Sequence, residues 1–386
     1  MKKLLLFILV CVLNAPLFAQ TTIIDSIFSG GQWREYRLYK PALYNGTKAV
    51  PLVLNLHGYS SNSFEQEFYA DFKGLADTAN FLVLLPNGTI DNQGERFWNV
   101  FNNPSAVDDV AFMGQLLDSI EAQYNIDKNR IYSTGMSNGG FMSYALACEL
   151  NDRITAIASV TGSMTQSNLN ACVPGRPVPV MQIHGTADDV VSYTGNNFLG
   201  FVAIPTLVNK WVTLNGCNTT PIQENVPDIN TTDNCTAERF LYTGGFRGAT
   251  VEHYKVNGGG HTWPGTAFSF IGVTNGDFKA SNEIWRFFNQ YRLNTLTDTR
   301  PIANDPTLLR IMPNPAHDHF TVQSNNGITM RQIRTYNIMG QLIADTSTSE
   351  GSTTQTISTA GWTKGMYIVR VTAQNGTEAT QTIVVE

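Results

Sequence analysis

From residue 23 to residue 294 the chain alternates short β-branched runs with longer amphipathic ones, and this alternation limits the possible folds more than any other feature. Segments 51–56, 81–85, 130–133 and 178–183 read as buried strands, each ended by a Gly, Pro or polar turn. Helices are expected between them at 64–80, 107–124 and 141–150. In the second of these, Val110, Met113, Leu117, Ile120 and Tyr124 recur at three- and four-residue intervals, which places them on one helical face. Strands that alternate with helices build a mostly parallel sheet covered on both faces, so the expected class is α/β. No repeat with the period of a solenoid or propeller is present.

After residue 294 the pattern changes. Residues 295–307 are polar, contain Pro301 and Pro306, and read as a linker. Residues 308–386 carry short alternating runs at 319–323, 331–336 and 365–371 between Gly, Asn and Ser turns, as a small all-β sandwich does. His317 and His319 in this part have no acidic or Cys partner at ligand spacing and read as surface residues. The first residues carry an export signal: Met1-Lys2-Lys3 is basic, residues 4–13 are apolar, and Leu17-Phe18-Ala19 offers a small residue for cleavage after Ala19. That apolar run is too short to span a bilayer. The expected organisation is a signal peptide at 1–19, an α/β domain at 20–294, a linker at 295–307 and a β-sandwich at 308–386, exported without membrane insertion. A net charge of −6 with no Lys/Arg run argues against a nucleic-acid partner.

Cys11 falls within the signal peptide, leaving Cys148, Cys172, Cys217 and Cys235, an even number for an oxidising compartment. Three pairings are possible and the sequence does not choose among them. Neighbour pairing, Cys148–Cys172 and Cys217–Cys235, closes short loops and is the expectation. There is no CxxC pair and no His near the cysteines, so no zinc site is expected.

The chemistry is concentrated at Gly135-Met136-Ser137-Asn138-Gly139. This stretch follows the strand that ends near Ser133 and opens a helical segment, the context that makes G-x-S-x-G the nucleophile elbow of an α/β-hydrolase. A turn this tight excludes bulky side chains two residues before and after the Ser. The helix behind it aims free N–H groups and partial positive charge at the site. A serine hydroxyl needs a base oriented by a carboxylate, and in this fold the chain order is Ser, acid, His. Of the later histidines, His184 ends a strand and His253 lies within the alternating run 250–256. His261 sits in the glycine-rich loop Gly258-Gly259-Gly260-His261-Thr262-Trp263 and is the expected base. The acid is expected in His184-Gly185-Thr186-Ala187-Asp188-Asp189, where spacing does not separate Asp188 from Asp189. Two N–H donors are needed for the oxyanion: that of Asn138, and that of Tyr59 (or Gly58) in His57-Gly58-Tyr59. His57 precedes the Ser and reads as structural. Trp98 and Trp263 are candidates for an aromatic wall around the substrate. This mechanism requires no metal or cofactor.

His57-Gly58, Gly135-Met136-Ser137-Asn138-Gly139-Gly140, the His184-to-Asp188 block and Gly259-Gly260-His261-Thr262-Trp263-Pro264 together resemble the polyhydroxybutyrate-depolymerase-like esterases, which include the feruloyl and acetylxylan esterases of carbohydrate esterase family one. The resemblance covers about 270 residues. It implies a secreted serine carboxylic-ester hydrolase and favours Asp188 as the acid. It also supports the two neighbour disulfides. Between a feruloyl or acetyl group on plant cell-wall polysaccharide and a polyhydroxyalkanoate or other polyester it does not choose. Met312-Pro313-Asn314-Pro315, Tyr336-Asn337-Ile338-Met339-Gly340-Gln341 and Gly365-Met366-Tyr367-Ile368-Val369 resemble the type A C-terminal sorting domain of the Bacteroidetes type IX (Por) pathway, which implies the secretion machinery as a partner. A carbohydrate-binding module is the alternative for this region, with Trp362 as its one suitable aromatic.

Overall fold

A computed structural model describes residues 20–100, 107–268, 271–297, 309–324, 329–338, 341–349, 351–373 and 378–386. The expected signal peptide, and the expected linker from residue 298 onward, lie outside the described residues. The chain opens with an antiparallel hairpin, β1 (Thr21–Ser29) and β2 (Gln32–Lys40), that turns at Gly30 and Gly31, both at positive φ. Next come β3 (Val50–Leu56), α1 (Ser63–Tyr69), α2 (Lys73–Ala79), β4 (Leu82–Pro86) and a short hairpin of β5 (Thr89–Ile90) and β6 (Arg96–Phe97). The elements α3 (Asp109–Gln123), β7 (Ile126–Met136), α4 (Asn138–Glu149), β8 (Ala156–Val160), α5 (Gln166–Ala171) and β9 (Val180–Gly185) follow. The first part closes with α6 (Ile204–Asn215), β10 (Ile222–Asn225), β11 (Thr236–Tyr242), β12 (Val251–Asn257), α7 (Ala280–Phe288) and α8 (Leu293–Thr297).

One ten-stranded sheet runs in the order β1-β2-β4-β3-β7-β8-β9-β12-β11-β10. Its six central strands, β4 to β12 in that order, are parallel, and the strands at both edges are antiparallel. The continuous apolar runs follow from burial on both sides. Leu52, Leu54 and Leu56 pack into one core and Val53 into the other, and in β7 Ile131 and Tyr132 divide in the same way.

Several elements differ from the sequence expectation. The single helix expected over 64–80 is two. Ala70 leaves helical geometry and its carbonyl accepts from Asn55 Nδ2 at 2.9 Å, while Asp71 Oδ1 accepts from Lys73 N–H at 2.8 Å and starts α2 afresh. Strand β8 carries mainly Ala and Ser, so β-propensity does not reveal it, yet it is wholly buried between β7 and β9. In α3 the buried stripe includes Phe112 and Leu116 beside Met113, Leu117 and Ile120, while Val110 and Tyr124 are only partly buried. The first part also extends beyond residue 294, because Leu296 in α8 is buried in the core.

Cys148, near the end of α4, is bonded to Cys172, the C-cap of α5, with a Cα–Cα distance of 5.2 Å. The expected Cys217–Cys235 bridge is not formed, and both are buried free thiols. Cys217 packs near Ala249, just before β12, whereas Cys235 precedes β11 at the opposite end of β12, where Thr236 pairs with Asn257. A strand of seven residues spans roughly 20 Å, far beyond disulfide reach. Thiol titration of the denatured, unreduced protein processed after Ala19 should therefore count two thiols, not none. Cys148→Ser should cost about 3 kcal/mol for the loop of 24 residues, read as a lower denaturant midpoint.

The C-terminal part contains β13 (Leu309–Met312), β14 (His319–Ser324), β15 (Met330–Asn337), β16 (Leu342–Ser347), β17 (Thr354–Ser358), β18 (Gly365–Ala373) and β19 (Glu378–Val385). They form two antiparallel sheets, β13-β14-β17 and β16-β15-β18-β19. Alternate residues of both, including Phe320, Val322, Ile333, Val369 and Ile383, share one apolar core, so this part is a sandwich. Trp362, the aromatic a carbohydrate-binding module would use, is partly buried and packs against Phe320 and Tyr367 at centroid distances of 6.0 and 4.9 Å. His317 and His319 are exposed.

Candidate active site

Ser137 is the only residue between β7 and α4, and its backbone is at φ 52°, ψ −120°. A non-glycine residue held there costs about 1–3 kcal/mol, offset by the packing around the turn. That packing depends on glycine. A Cβ on Gly135 would lie 2.7 Å from the Leu56 carbonyl oxygen, and one on Gly139 2.2 Å from the same atom. The two glycines let α4 lie directly on β3. The Ser137 N–H donates to the Val160 carbonyl at 2.9 Å, so β8, the strand hidden from sequence patterning, anchors the elbow.

The loops after β9 and β12 meet beside it. A Cβ on Gly185 would fall 2.2 Å from the Gly259 carbonyl oxygen, and the Ala187 N–H donates to that oxygen at 2.9 Å. This contact sets His261 Nδ1 2.8 Å from Asp188 Oδ2, with both side chains buried. Asp188 Oδ1 accepts from the N–H groups of Val190 and Val191 at 2.9 and 2.8 Å. Burial by itself would raise the Asp188 carboxyl. The hydrogen bonds and charges of His184 and His261 outweigh burial and hold it well below the usual carboxylate range. Asp189 is exposed. Geometry thus separates the two aspartates that spacing left equivalent.

On the other side of Ser137, the loop after β3 approaches closely, and a Cβ on Gly58 would lie 3.5 Å from Ser137 Cβ. Tyr59 is fixed through its hydroxyl, which donates to Asp91 Oδ2 at 2.7 Å, and the Ser60 N–H donates to the Arg96 carbonyl at 2.8 Å. His57 is buried below. Its Nε2 accepts the Gly88 N–H at 2.9 Å, its Nδ1–H donates to the Gly58 carbonyl at 2.7 Å, and burial lowers it to about 4. The Asn138 side chain accepts the Trp98 N–H at 2.6 Å and donates to the Trp98 carbonyl at 3.2 Å.

The two tryptophans expected to face substrate do not. Trp98 is 0% exposed, packs at a tilt against His57 with ring centroids 4.8 Å apart and donates its indole N–H to the His57 carbonyl. Trp263 is 2% exposed, packs edge-on against Phe72 and donates to Ser281 Oγ at 3.2 Å. Both large rings found more stabilising burial with a partner for the N–H, and they brace the loops from behind.

A cavity of about 520 Å³ opens at Ser137 and His261, lined also by Gly58, Tyr59, Phe64, Phe68, Phe268 and Ile271. One wall of it comes from α1, which is turned inside out. Its buried residues are Ser63, Gln66 and Glu67, while Phe64 and Phe68 are 54% and 48% exposed. Glu67 is held by Arg37 at 2.8 Å, and Gln66 donates to Asn55 at 2.8 Å. None of the α1 residues was among those expected at the site from the sequence. The signal for this wall was an aromatic pair at i and i+4 beside polar residues that have partners elsewhere in the chain.

A twisted parallel sheet, an elbow Ser after its central strand and a His–Asp pair on the loops of later strands define an α/β-hydrolase. Residues 34–198 match the family described as Esterase PHB depolymerase, and residues 310–386 match the secretion system C-terminal sorting domain. Feruloyl esterase B of Piromyces equi is 29% identical over 57% of this chain and 41% of its own length. A bifunctional acetylxylan esterase/xylanase of Neocallimastix patriciarum is 30% identical over 62% of this chain and 33% of its own. The chain thus spans less than half the length of these two relatives. A "probable feruloyl esterase C" of Aspergillus oryzae is 30% identical over 52% of this chain and 68% of its own. An acetyl xylan esterase from Aspergillus awamori of known structure superposes with a TM-score of 0.48 at 14% identity, over 69% of this chain and 99% of that one. The chain belongs to the polyhydroxybutyrate-depolymerase-type esterase family together with feruloyl esterase C, and it carries a secretion-system sorting domain at its C-terminus.

Proposed function

We propose that the protein is an exported serine esterase that removes an aromatic acyl group of the feruloyl type from plant cell-wall polysaccharide. The observation that carries this reading is the apolar, aromatic-lined cavity into which both Ser137 and His261 open, with His261 held by Asp188. In this reading Ser137 Oγ attacks the ester carbonyl while His261 takes its proton. The proton then passes to the leaving alcohol, and water repeats the sequence on the acyl-enzyme. Asp188 orients the imidazole and stabilises its charged form. The N–H groups of Asn138 and Tyr59 hold the oxyanion, with the positive end of α4 behind them. A cavity of this size exceeds what an acetyl group fills, and flat apolar walls suit a phenolic ring. Phe68→Ala should lower kcat/KM for methyl ferulate about tenfold while changing that for p-nitrophenyl acetate less than about twofold, the loss of one aromatic contact. Equal losses on both esters would point away from an aromatic acyl site.

A second reading, a polyester depolymerase, draws support from the exposure of the rim. Phe64 and Phe68 on one side, and Phe268 and Ile271 at 49% and 50% on the other, form an apolar lip that could rest on a solid surface. Clearing of a polyhydroxybutyrate film, with no release of ferulate from feruloylated xylan, would favour it.

The C-terminal sandwich is read as the address for type IX export, following a signal peptide cut after Ala19. Its core is built wholly from residues after 308, so its removal leaves the esterase core whole. Deleting 308–386 should leave hydrolysis of soluble esters unchanged and retain the enzyme inside its native host. Normal export of the truncated form, tracked in the culture medium, would contradict this.

A further inference from the structure

Asp188 Oδ2 faces a second imidazole besides His261. His184 Nε2 lies 3.3 Å from that oxygen and 2.7 Å from the Val191 carbonyl oxygen. A carbonyl only accepts, so Nε2 carries the ring proton and donates it to Val191, and the same polarised N–H lies beside Asp188 Oδ2. The other ring nitrogen, Nδ1, lies 3.0 Å from Gln182 Nε2. That amide nitrogen also faces the Gly162 carbonyl at 2.9 Å, while Gln182 Oε1 accepts from the Tyr144 hydroxyl at 2.7 Å. The amide orientation and the imidazole tautomer are therefore each fixed from two sides. Tyr144, Gln182 and His184 are completely buried, so no water competes for these bonds.

The same short turn is held at both ends. Val190 and Val191 give their N–H groups to Asp188 Oδ1, and the Val191 carbonyl takes the His184 proton. An imidazole that merely closed the end of β9 would need only the carbonyl. This one also touches the oxygen that receives His261.

We propose that His184 is a positioning residue for the Asp188–His261 pair, its tautomer set by Gln182 and Tyr144, so that Asp188 stays aimed at His261 Nδ1. The proposal rests on the reading of Ser137, His261 and Asp188 as the catalytic set. Without the His184 proton the carboxylate turns more freely, and less of its charge is neutralised. Its aim at His261 Nδ1 is then lost for part of the time, so turnover falls without loss of substrate affinity. The neighbouring groups do not obscure this. His253 Nδ1 donates to the Gln182 carbonyl at 2.9 Å and its Nε2 accepts from the Tyr193 hydroxyl at 3.0 Å. Burial lowers His253 to about 4 and raises Tyr193 to about 12, so both remain neutral through the working range, and Asp189 is exposed.

The test uses full-length enzyme on p-nitrophenyl acetate. His184→Phe should lower kcat about 10- to 100-fold, as small misplacements of a reacting group do, with KM within about twofold. His184→Gln, which keeps an N–H at nearly the same place, should recover most of the lost kcat. Tyr144→Phe, a smaller change that frees the Gln182 amide to turn over, should lower kcat about two- to fivefold in the same direction, and it serves if His184→Phe does not fold. Nuclear magnetic resonance of protein labelled with ¹⁵N-histidine should show His184 as the neutral Nε2–H tautomer. A wild-type Nδ1–H tautomer, or unchanged kcat in His184→Phe, overturns the proposal. If Ser137→Ala and Asp188→Asn abolish turnover while His184→Phe is silent, only this inference fails. If those two variants stay active, the catalytic reading itself is wrong.

Discussion

Ser137→Ala should lower kcat by about 10⁴- to 10⁶-fold, the loss typical of removing the nucleophile from a set of groups that act as one unit. The fold should survive, because Ser137 is partly exposed at the elbow and the backbone bonds that shape the turn do not involve its side chain. Alanine keeps the positive φ of this position and its strain, so the unfolding midpoint should stay where it is. Ser137→Gly should be equally inactive but more stable, since glycine adopts this backbone at little cost. Together the two variants separate chemistry from strain. Kinetics with p-nitrophenyl acetate and a thermal melt of each provide the check. Retention of more than about a hundredth of the activity in Ser137→Ala would remove this residue as nucleophile.

The parts of the site legible in the sequence are those fixed by backbone necessity. Gly135, Gly139, Gly185 and Gly58 stand where another chain segment passes within contact distance, so the motif residues between them had few places to go. The order of Ser137, Asp188 and His261 along the chain follows from the order of the parallel strands. Side-chain direction was much less legible. Trp98 and Trp263 lie beside the right loops but point into the core, because an indole gains more from burial with a partnered N–H than from facing solvent. An aromatic cavity wall came instead from α1, whose exposed phenylalanines make sense only once Arg37 on β2 and Asn55 on β3 are seen to satisfy its buried polar face. The Cys217–Cys235 expectation failed for a related reason. Separation along the chain said nothing about the length of β12 standing between them. Breaks and ends were the least visible. A single Asp71 side chain divides the helix expected over 64–80, and Leu296 draws the first part past its expected boundary.

Asp188→Asn should cost about 10⁴-fold in kcat, whereas Asp189→Asn should change it by less than about threefold. The difference does not come from charge near the site, since both aspartates carry it and are adjacent in sequence. It comes from where each carboxylate points. Asp188 receives three N–H groups, Val190 and Val191 on Oδ1 and His261 on Oδ2, with the His184 N–H 3.3 Å from Oδ2. An asparagine of the same shape can accept on only one of its two ends. If its oxygen stays with the Val190 and Val191 N–H groups, its NH₂ meets His261 Nδ1. The imidazole must then present a lone pair there and place its proton on Nε2, where it cannot take one from Ser137. If the amide turns over, its NH₂ opposes two backbone N–H groups and the turn is destabilised. The first orientation keeps both backbone bonds and is favoured, so the base is lost while the nucleophile, the cavity and the proposed oxyanion donors remain, and KM should change little. Asp189 is exposed and can exchange its carboxylate for an amide in water with little consequence. Measuring kcat and KM for both variants on the same soluble ester decides the assignment, and a reversed ranking would transfer the acid to Asp189.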